Sequence, residues 1–188
     1  THPREDIQNL VATVRILLEG VFTSVSNNEV EARRLYDLYV AALPDTKTMY
    51  RLRLYAITRC PQFFKQEIKD ALFRGFNMGV RYLEMDSGAE YHGGLIAGFN
   101  VLDDATQREY ISKVFEYFGA SLGDADKETW RKRDGLKILI FIKELLTQGE
   151  IGQAEKLLGK FPIEPLTPQP DMVGGRSGIV THRSPVNL

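Results

Sequence analysis

The sequence predicts an all-α fold of seven or eight helices. Apolar residues recur at spacings of three and four along most of residues 1–160, which is the pattern of helices with one buried face. Proline, glycine and small polar residues separate these segments at positions where helices characteristically begin and end. The second helices of successive candidate pairs begin near residues 28, 61, 103 and 149. This spacing is typical of helical repeats, but the segments share no clear sequence pattern, so an irregular αα-hairpin array (HEAT-like) and an irregular bundle remain equal alternatives.

The first two helices precede residue 44. The first has one apolar face, formed by Ile7, Leu10, Val14, Leu17, Leu18 and Val21. Residues 23–28 are small and polar, which predicts a loop and an N-cap. The second helix is predicted from Glu29 to Leu43, with a shared face of Leu35, Leu38, Tyr39 and Ala42. Further apolar residues widen that face and indicate contacts on two sides: Tyr36, Val40 and Leu43.

Pro44 and Asp45 are expected to stop the second helix and cap the third. The third helix is predicted over residues 46–59, with Met49, Leu52, Ala56 and Cys60 in register. Pro61 lies where the first turn of a helix tolerates proline. The fourth helix follows through Phe64, Ile68, Leu72 and Phe76.

Residues 88–98 hold four glycines, and this stretch is predicted to be a loop followed by a short helix through Leu95, Ile96, Phe99 and Leu102. Asp103 and Asp104 predict the N-cap of a sixth helix that ends at Gly119. A seventh helix opens at residues 123–126 and is predicted to run through Trp130 to Thr147. Residues 136–142 could also form a strand, but length and the polar positions favour a helix. A short eighth helix is predicted from Ile151 to Leu158, ending at Gly159.

The chain changes character at residue 161. Four prolines are followed by three glycines, at positions 162, 165, 168 and 170 and then 174, 175 and 178. This composition predicts an extended C-terminal arm over residues 161–188, after a helical domain over residues 1–160.

Length and composition are those of a soluble globular protein. The 188 residues are 43% hydrophobic and 26% charged, and a chain of this length buries a core without disulfides or metals. The one cysteine, Cys60, excludes an internal disulfide and is predicted to be a buried thiol. No apolar run approaches the roughly 20 residues of a membrane-spanning helix, and no signal-peptide pattern opens the chain. We therefore expect an intracellular, cytoplasmic protein.

Charge is sorted into two blocks of opposite sign. Residues 47–81, the basic block, carry eight basic and two acidic side chains, a formal charge of +6. Residues 84–128, the acidic block, carry ten acidic and three basic side chains, a formal charge of −7. Such asymmetry bears on partners and self-association rather than on fold.

The basic block is the candidate site for an anionic partner, through Lys47, Arg51, Arg53, Arg59, Lys65, Lys69, Arg74 and Arg81. Several of these cations are one helical turn apart and repel each other slightly, which an anion would relieve. Aromatic residues lie among them and, if exposed, would suit stacking on single-stranded nucleic acid: Tyr50, Tyr55, Phe63 and Phe64. The alternative is a solvated basic face over aromatic residues that belong to the core.

A second basic cluster, Arg131, Lys132 and Arg133, follows Trp130. It either extends the basic surface or pairs with acids in the first turn of its own helix, Asp124, Asp126 and Glu128.

Self-association is expected to use opposite charges: Glu84, Asp86, Asp103 and Asp104 in the acidic block, and Arg176 and Arg183 in the arm. Opposite blocks on one surface permit head-to-tail contacts between copies. The alternative is that the two blocks face each other within one molecule.

Motifs for catalysis or cofactor binding are missing from the sequence. His92, two residues after Glu90, is the one histidine placed where a site could form, but HExxH and paired-histidine patterns are absent. The glycine-rich residues 88–98 fit neither a phosphate loop nor a dinucleotide fingerprint. We therefore predict no enzyme activity, no metal and no cofactor.

The expected function is that of a non-enzymatic helical interaction and assembly protein, which contacts a protein partner or further copies of itself through its opposed charge blocks and its arm. The alternative is an RNA-binding protein that uses the basic surface of residues 47–81, with affinity driven by counterion release. The sequence does not exclude contact with a membrane surface.

Overall fold

The computed structural model describes residues 3–77, 88–121 and 123–161. Within these ranges the fold is all-α, as predicted, with eight α-helices and no strand. The helices are α1 (Pro3–Ser24), α2 (Glu29–Tyr36), α3 (Lys47–Ile57), α4 (Lys65–Asn77), α5 (Gly88–Gly98), α6 (Asp104–Gly119), α7 (Ala125–Ile140) and α8 (Gln148–Leu158). A π-helical turn (Asp37–Ala41) continues α2, and short 3-10 turns cover Pro61–Phe63, Phe99–Val101 and Lys143–Leu145.

The helices form two groups around a shared core. Helices α3, α4 and α5 pack on one another, and α1 packs against α3. Helices α6, α7 and α8 form the second group, which α4 joins to the first by packing on α6. One apolar cluster runs through both groups and includes the buried rings of Phe64, Phe99 and Phe118.

Buried tyrosines connect the helices of this core by hydrogen bonds. The hydroxyl of Tyr91 on α5 donates to the carbonyl oxygen of Leu72 on α4 at 2.8 Å. The same hydroxyl accepts from Tyr110 on α6, also at 2.8 Å. Burial raises the pKa of both phenols, so both stay neutral hydrogen-bond donors at ordinary pH. Three helices are thereby fixed by one chain of polar contacts inside an apolar core.

The second predicted helix divides into α2 and the π-helical turn. A π turn takes up an additional residue, which rotates every side chain after it relative to the core. Val40 is therefore fully buried, whereas Leu38, Tyr39 and Ala42 are exposed. The predicted core face is wrong at these three positions because the α-helical period does not continue unchanged through residue 43.

Residues 88–98 form helix α5, so the prediction of a loop at the start of this stretch was wrong, whereas the short helix predicted through Leu95 and Ile96 is present and is followed by a 3-10 turn at Phe99–Val101. Two of its glycines face neighbouring helices at close range. A methyl group at Gly98 would lie 2.8 Å from Cγ2 of Ile68 on α4, and one at Gly94 would lie 2.9 Å from Cδ1 of Leu54 on α3. The absence of a side chain at these glycines allows α3, α4 and α5 to approach closely. The residues that require glycine here are distant in sequence, so the neighbouring residues do not reveal the requirement.

Most helix starts match the predicted caps. Asp103 accepts a hydrogen bond from the backbone NH of Thr106 at 2.8 Å and caps α6. Asp124 caps α7 in the same way, accepting from the NH of Lys127 at 3.2 Å. Thr46, rather than the predicted Asp45, caps α3. These contacts lie within four residues of each helix start, which is why sequence locates them well.

The last two helices differ from prediction at their ends. Helix α7 ends at Ile140 instead of Thr147, but residues 136–140 are helical, as predicted, and do not form the alternative strand. Helix α8 begins at Gln148, after a capping box in which Thr147 and Glu150 bond to each other's backbone NH. Gly159 ends α8 with φ of +110°, a backbone region that favours glycine. The predicted arm after Phe161 lies outside the described residues.

Candidate interaction surfaces

The arginines of the basic block lie mostly in contacts within the chain. Arg51 on α3 donates to both carboxylate oxygens of Glu90 on α5, at 2.8 Å each. The two side chains are 16% and 4% exposed, so the ion pair is buried. This pair joins one residue of the basic block to one of the acidic block inside a single molecule.

Asp45 connects two further arginines of the basic block. Arg74 on α4 donates to both carboxylate oxygens of Asp45 at 2.5 Å. Arg53 on α3 lies 3.6 Å from the same carboxylate and donates to the carbonyl oxygen of Leu43. The hydrogen bond from Arg74 holds the pKa of Asp45 below its usual value. Arg53 thus donates to a backbone carbonyl group just after the π-helical turn, and the ion pair of Arg74 with Asp45 connects the same region to α4.

Arg59 takes part in a contact between α1 and the end of α3. Its guanidinium lies 4.1 Å from the ring centre of Tyr55 and donates to Glu19 at 3.3 Å. The hydroxyl of Tyr55 donates to the same carboxylate at 2.6 Å. Burial, together with this hydrogen bond, raises the pKa of Tyr55 to about 12. Arg59 therefore stabilises the docking of α1.

The lysines of the basic block are less constrained. Lys69 lies 3.8 Å from the carboxylate of Glu109 on α6. Lys65 is exposed and, within the described ranges, has no ion pair. The side chain of Lys47 and the whole of Arg81 lie outside the described residues. A surface for an anion would therefore depend on the lysines more than on the arginines.

The aromatic residues of the basic block belong mainly to the core. Tyr50, Tyr55 and Phe64 are buried, and Phe63 is half-buried. The three buried rings are not available as platforms on which bases could stack, and the ring of Phe63 is only partly accessible. The positions of these rings agree with the alternative given above, in which the aromatic residues belong to the core beneath a solvated basic face.

The second basic cluster contacts aromatic rings instead of the acids of its own helix. The guanidinium of Arg131 lies 4.4 Å from the ring centre of Tyr117, and that of Arg133 lies 5.8 Å from the ring centre of Trp130. Lys132 is half-buried on the same helix. Within the described ranges the first-turn ion pair of α7 is Lys127 with Asp124, at 3.0 Å. Trp130 is 61% exposed and is therefore a prominent aromatic side chain of the surface.

Of the acids expected in self-association, two are described. Asp103 caps α6, and its hydrogen bonds from Thr106 lower its pKa. Asp104 follows it and is exposed. The other residues of that prediction lie outside the described residues: Glu84, Asp86, Arg176 and Arg183.

His92 and Glu90 point to different neighbours because α5 is a helix. Glu90 faces Arg51, whereas the His92 ring packs on Phe141 with 4.6 Å between ring centres. Burial lowers the pKa of His92 to about 4, and Lys137 adds to this effect. His92 is therefore a neutral packing residue, and no group of metal-ligating side chains occurs in the described part of the chain.

Cys60 is fully buried, as predicted. Burial raises the pKa of its thiol to about 11, which disfavours the reactive thiolate. None of the described helices is long and apolar enough to cross a membrane.

Helix α1 carries an exposed apolar face, and two of its residues, Leu10 and Leu17, were predicted to lie on the buried face of the helix. Leu10, Ile16 and Leu17 are 63%, 64% and 62% exposed, whereas Leu18 and Val21 pack on the core. Thr13 and Gly20 are exposed on the same side, and nothing lies within 4 Å of a methyl group built on Gly20. We call Leu10, Thr13, Ile16, Leu17 and Gly20 the α1 outer face. Its signal in the sequence is that residues 10–24 carry only two charged side chains, Arg15 and Glu19.

A smaller apolar patch lies on α2 and its π-helical turn. Val30 is 80% exposed, and Leu38 and Tyr39 are 55% and 56% exposed. Arg34 lies one turn after Val30 and pairs with Glu31 at 2.6 Å, so charge interrupts this patch. The α1 outer face is the more continuous of the two.

The comparisons with known proteins add no assignment to this geometry. No protein-family model matches the chain, and neither the curated proteins nor the solved structures provide a significant match.

Proposed function

We propose that this protein is a non-enzymatic helical interaction and assembly protein, and that the α1 outer face is its principal contact with another protein chain. The observation that supports this is the exposure of Leu10, Ile16 and Leu17, each above 60%, on one side of a helix. Contiguous apolar surface of this kind marks interaction sites in soluble proteins.

Contacts between the basic and acidic blocks of different copies contribute less to the proposed assembly than the sequence alone predicts. Arg51, Arg53 and Arg74 are engaged with carboxylates of the same molecule. An apolar contact is not screened by salt, whereas a contact between exposed charges weakens as salt rises. Assembly through α1 is therefore expected to persist in high salt.

Light scattering after size exclusion, over a concentration series, tests the proposal. The wild-type mass is expected to rise above that of one chain with concentration, in low and in high salt. Leu17→Lys should abolish the rise because it places a charge in the middle of the apolar face. Val30→Lys is the matched control, since it adds the same charge at an 80% exposed apolar position on α2. A mass that stays monomeric at every concentration contradicts the assembly proposal.

One observation favours nucleic-acid binding as a second candidate function. Trp130 is exposed beside Arg133, and an exposed ring with an adjacent cation suits stacking on a base of single-stranded RNA. The double substitution Trp130→Ala with Arg133→Gln should abolish a salt-sensitive shift of a short RNA. Both sites are on the surface, so this test avoids the buried pair of Arg51, whose loss would disturb folding. An RNA that binds the double variant unchanged contradicts this candidate.

A further inference from the structure

We propose that the occupant of the α1 outer face is the α1 helix of a second copy, which lies antiparallel with Leu10 against Gly20 and Leu17 against Thr13. This inference rests on the proposed function and specifies its partner and geometry. The four residues follow one another at spacings of three, four and three, which is the repeat of a helix-pairing seam.

The order of sizes along the seam determines the direction of pairing. Large and small residues alternate as Leu10, Thr13, Leu17 and Gly20. In a parallel pair each residue meets its own equivalent, so leucine opposes leucine and glycine opposes glycine with a gap between them. In an antiparallel pair centred on residue 15, each leucine faces a small residue of the other copy. Knobs then fill holes in every layer, which is the arrangement that close packing favours.

The surroundings of the seam permit two copies to meet. Between residues 10 and 24 the exposed side of α1 carries one charged residue, Glu19, which bonds to Tyr55 and Arg59 of its own chain. No like charges are therefore brought together at the contact. A methyl group at Gly20 has nothing within 4 Å, so there is room for a leucine of the second copy.

The size of the contact sets the expected strength. In this arrangement residues 10–20 of one copy face residues 20–10 of the other, so the paired stretch is eleven residues or about 16 Å long and buries on the order of 600 Å² in total. Stable interfaces bury about 1,200 Å² or more. We therefore expect a weak, concentration-dependent dimer.

Variants with one added cysteine test the direction and the register. The native Cys60 is fully buried, so the wild-type protein is the control for background oxidation. Leu10→Cys and Gly20→Cys are prepared separately, and each is oxidised mildly alone and in an equal mixture. In the proposed pair, two copies of residue 10 are about 15 Å apart along the axis, too far for a disulfide. The yield of disulfide-linked dimer is therefore expected to be at least five-fold higher in the mixture than in either variant alone.

The outcomes separate the geometry from the proposed function. Cross-linking of Leu10→Cys with itself indicates parallel pairing and overturns the antiparallel arrangement. If the wild-type mass rises with concentration but no variant or mixture cross-links, copies associate elsewhere and this inference is wrong while the proposed assembly stands. If the wild-type mass does not rise and nothing cross-links, the assembly proposal fails with it.

Discussion

Replacing Gly135 by alanine tests whether the close approach of α6 and α7 is set by a glycine. A methyl group at Gly135 would lie 2.7 Å from Cβ and 2.8 Å from Cγ of Phe118, and 3.2 Å from Cδ1 of Leu158. Phe118 is fully buried, and its Cβ is fixed to the backbone of α6. The new methyl group can be accommodated only if the two helices move apart.

Two effects of opposite sign determine the free energy of unfolding of this variant. Alanine is favoured over glycine inside a helix by about 1 kcal/mol. Overpacking of a core costs about 1–3 kcal/mol, and the rigid contact with Phe118 places Gly135→Ala in the upper part of that range. We expect a net destabilisation of about 1–2 kcal/mol, which lowers Tm by roughly 2–8 °C in a chain of this size.

Gly152→Ala on α8 is the matched control, because nothing lies within 4 Å of a methyl group there. It retains the helix-propensity gain without the clash, so we expect a stabilisation of about 0.5–1 kcal/mol. Urea and thermal unfolding followed by circular dichroism measure both variants. If Gly135→Ala is as stable as Gly152→Ala, the close approach of α6 and α7 does not depend on glycine at position 135.

Three further predictions concern the buried polar groups and a cap. Burial lowers the pKa of His92 to about 4, so the unfolded chain, in which the pKa is about 6.5, binds a proton more readily than the folded chain. The free energy of unfolding therefore falls as pH drops below about 6.5, and the loss reaches about 2 kcal/mol at about pH 5. His92→Gln should remove this part of the pH dependence in unfolding measured across that window, and identical slopes for both proteins would contradict it. Glu90→Ala leaves Arg51 without its buried partner and should cost about 3 kcal/mol in urea unfolding, whereas a cost below about 1 kcal/mol would show that the pair is not effectively buried. Thr147→Ala removes one half of the α8 capping box and should lower the free energy of unfolding by about 1 kcal/mol, and an unchanged urea midpoint would argue against the cap.

Local features of this fold were predictable from sequence, and contacts between distant segments were not. Asp103 and Asp124 could be recognised as caps because each bonds to a backbone NH three residues later. Gly98 suggested a loop because its reason for being glycine is Ile68, thirty residues earlier on another helix. The register after Asp37 could not be read because the sequence carries no evident mark of a π-helical turn.

The candidate site shows the same division. The sequence displayed two blocks of opposite charge, but it could not show that Arg51 meets Glu90 within the molecule. Leu10 and Leu17 fitted the apolar stripe of α1 by spacing, yet they lie at its edge, where the neighbouring helices do not reach. Which side of a broad apolar stripe is covered depends on the width of the packing partner, and that is a property of the tertiary structure.

In the proposed assembly the α1 outer face joins this chain to another copy. The most direct test is sedimentation equilibrium of three proteins in high salt: the wild type, Leu17→Lys on the α1 outer face, and Val30→Lys on α2. We predict that the wild type and Val30→Lys share one concentration-dependent monomer–dimer equilibrium, and that Leu17→Lys remains a monomer throughout. Association of Leu17→Lys with the same constant as the wild type would show that the α1 outer face is not the contact between copies.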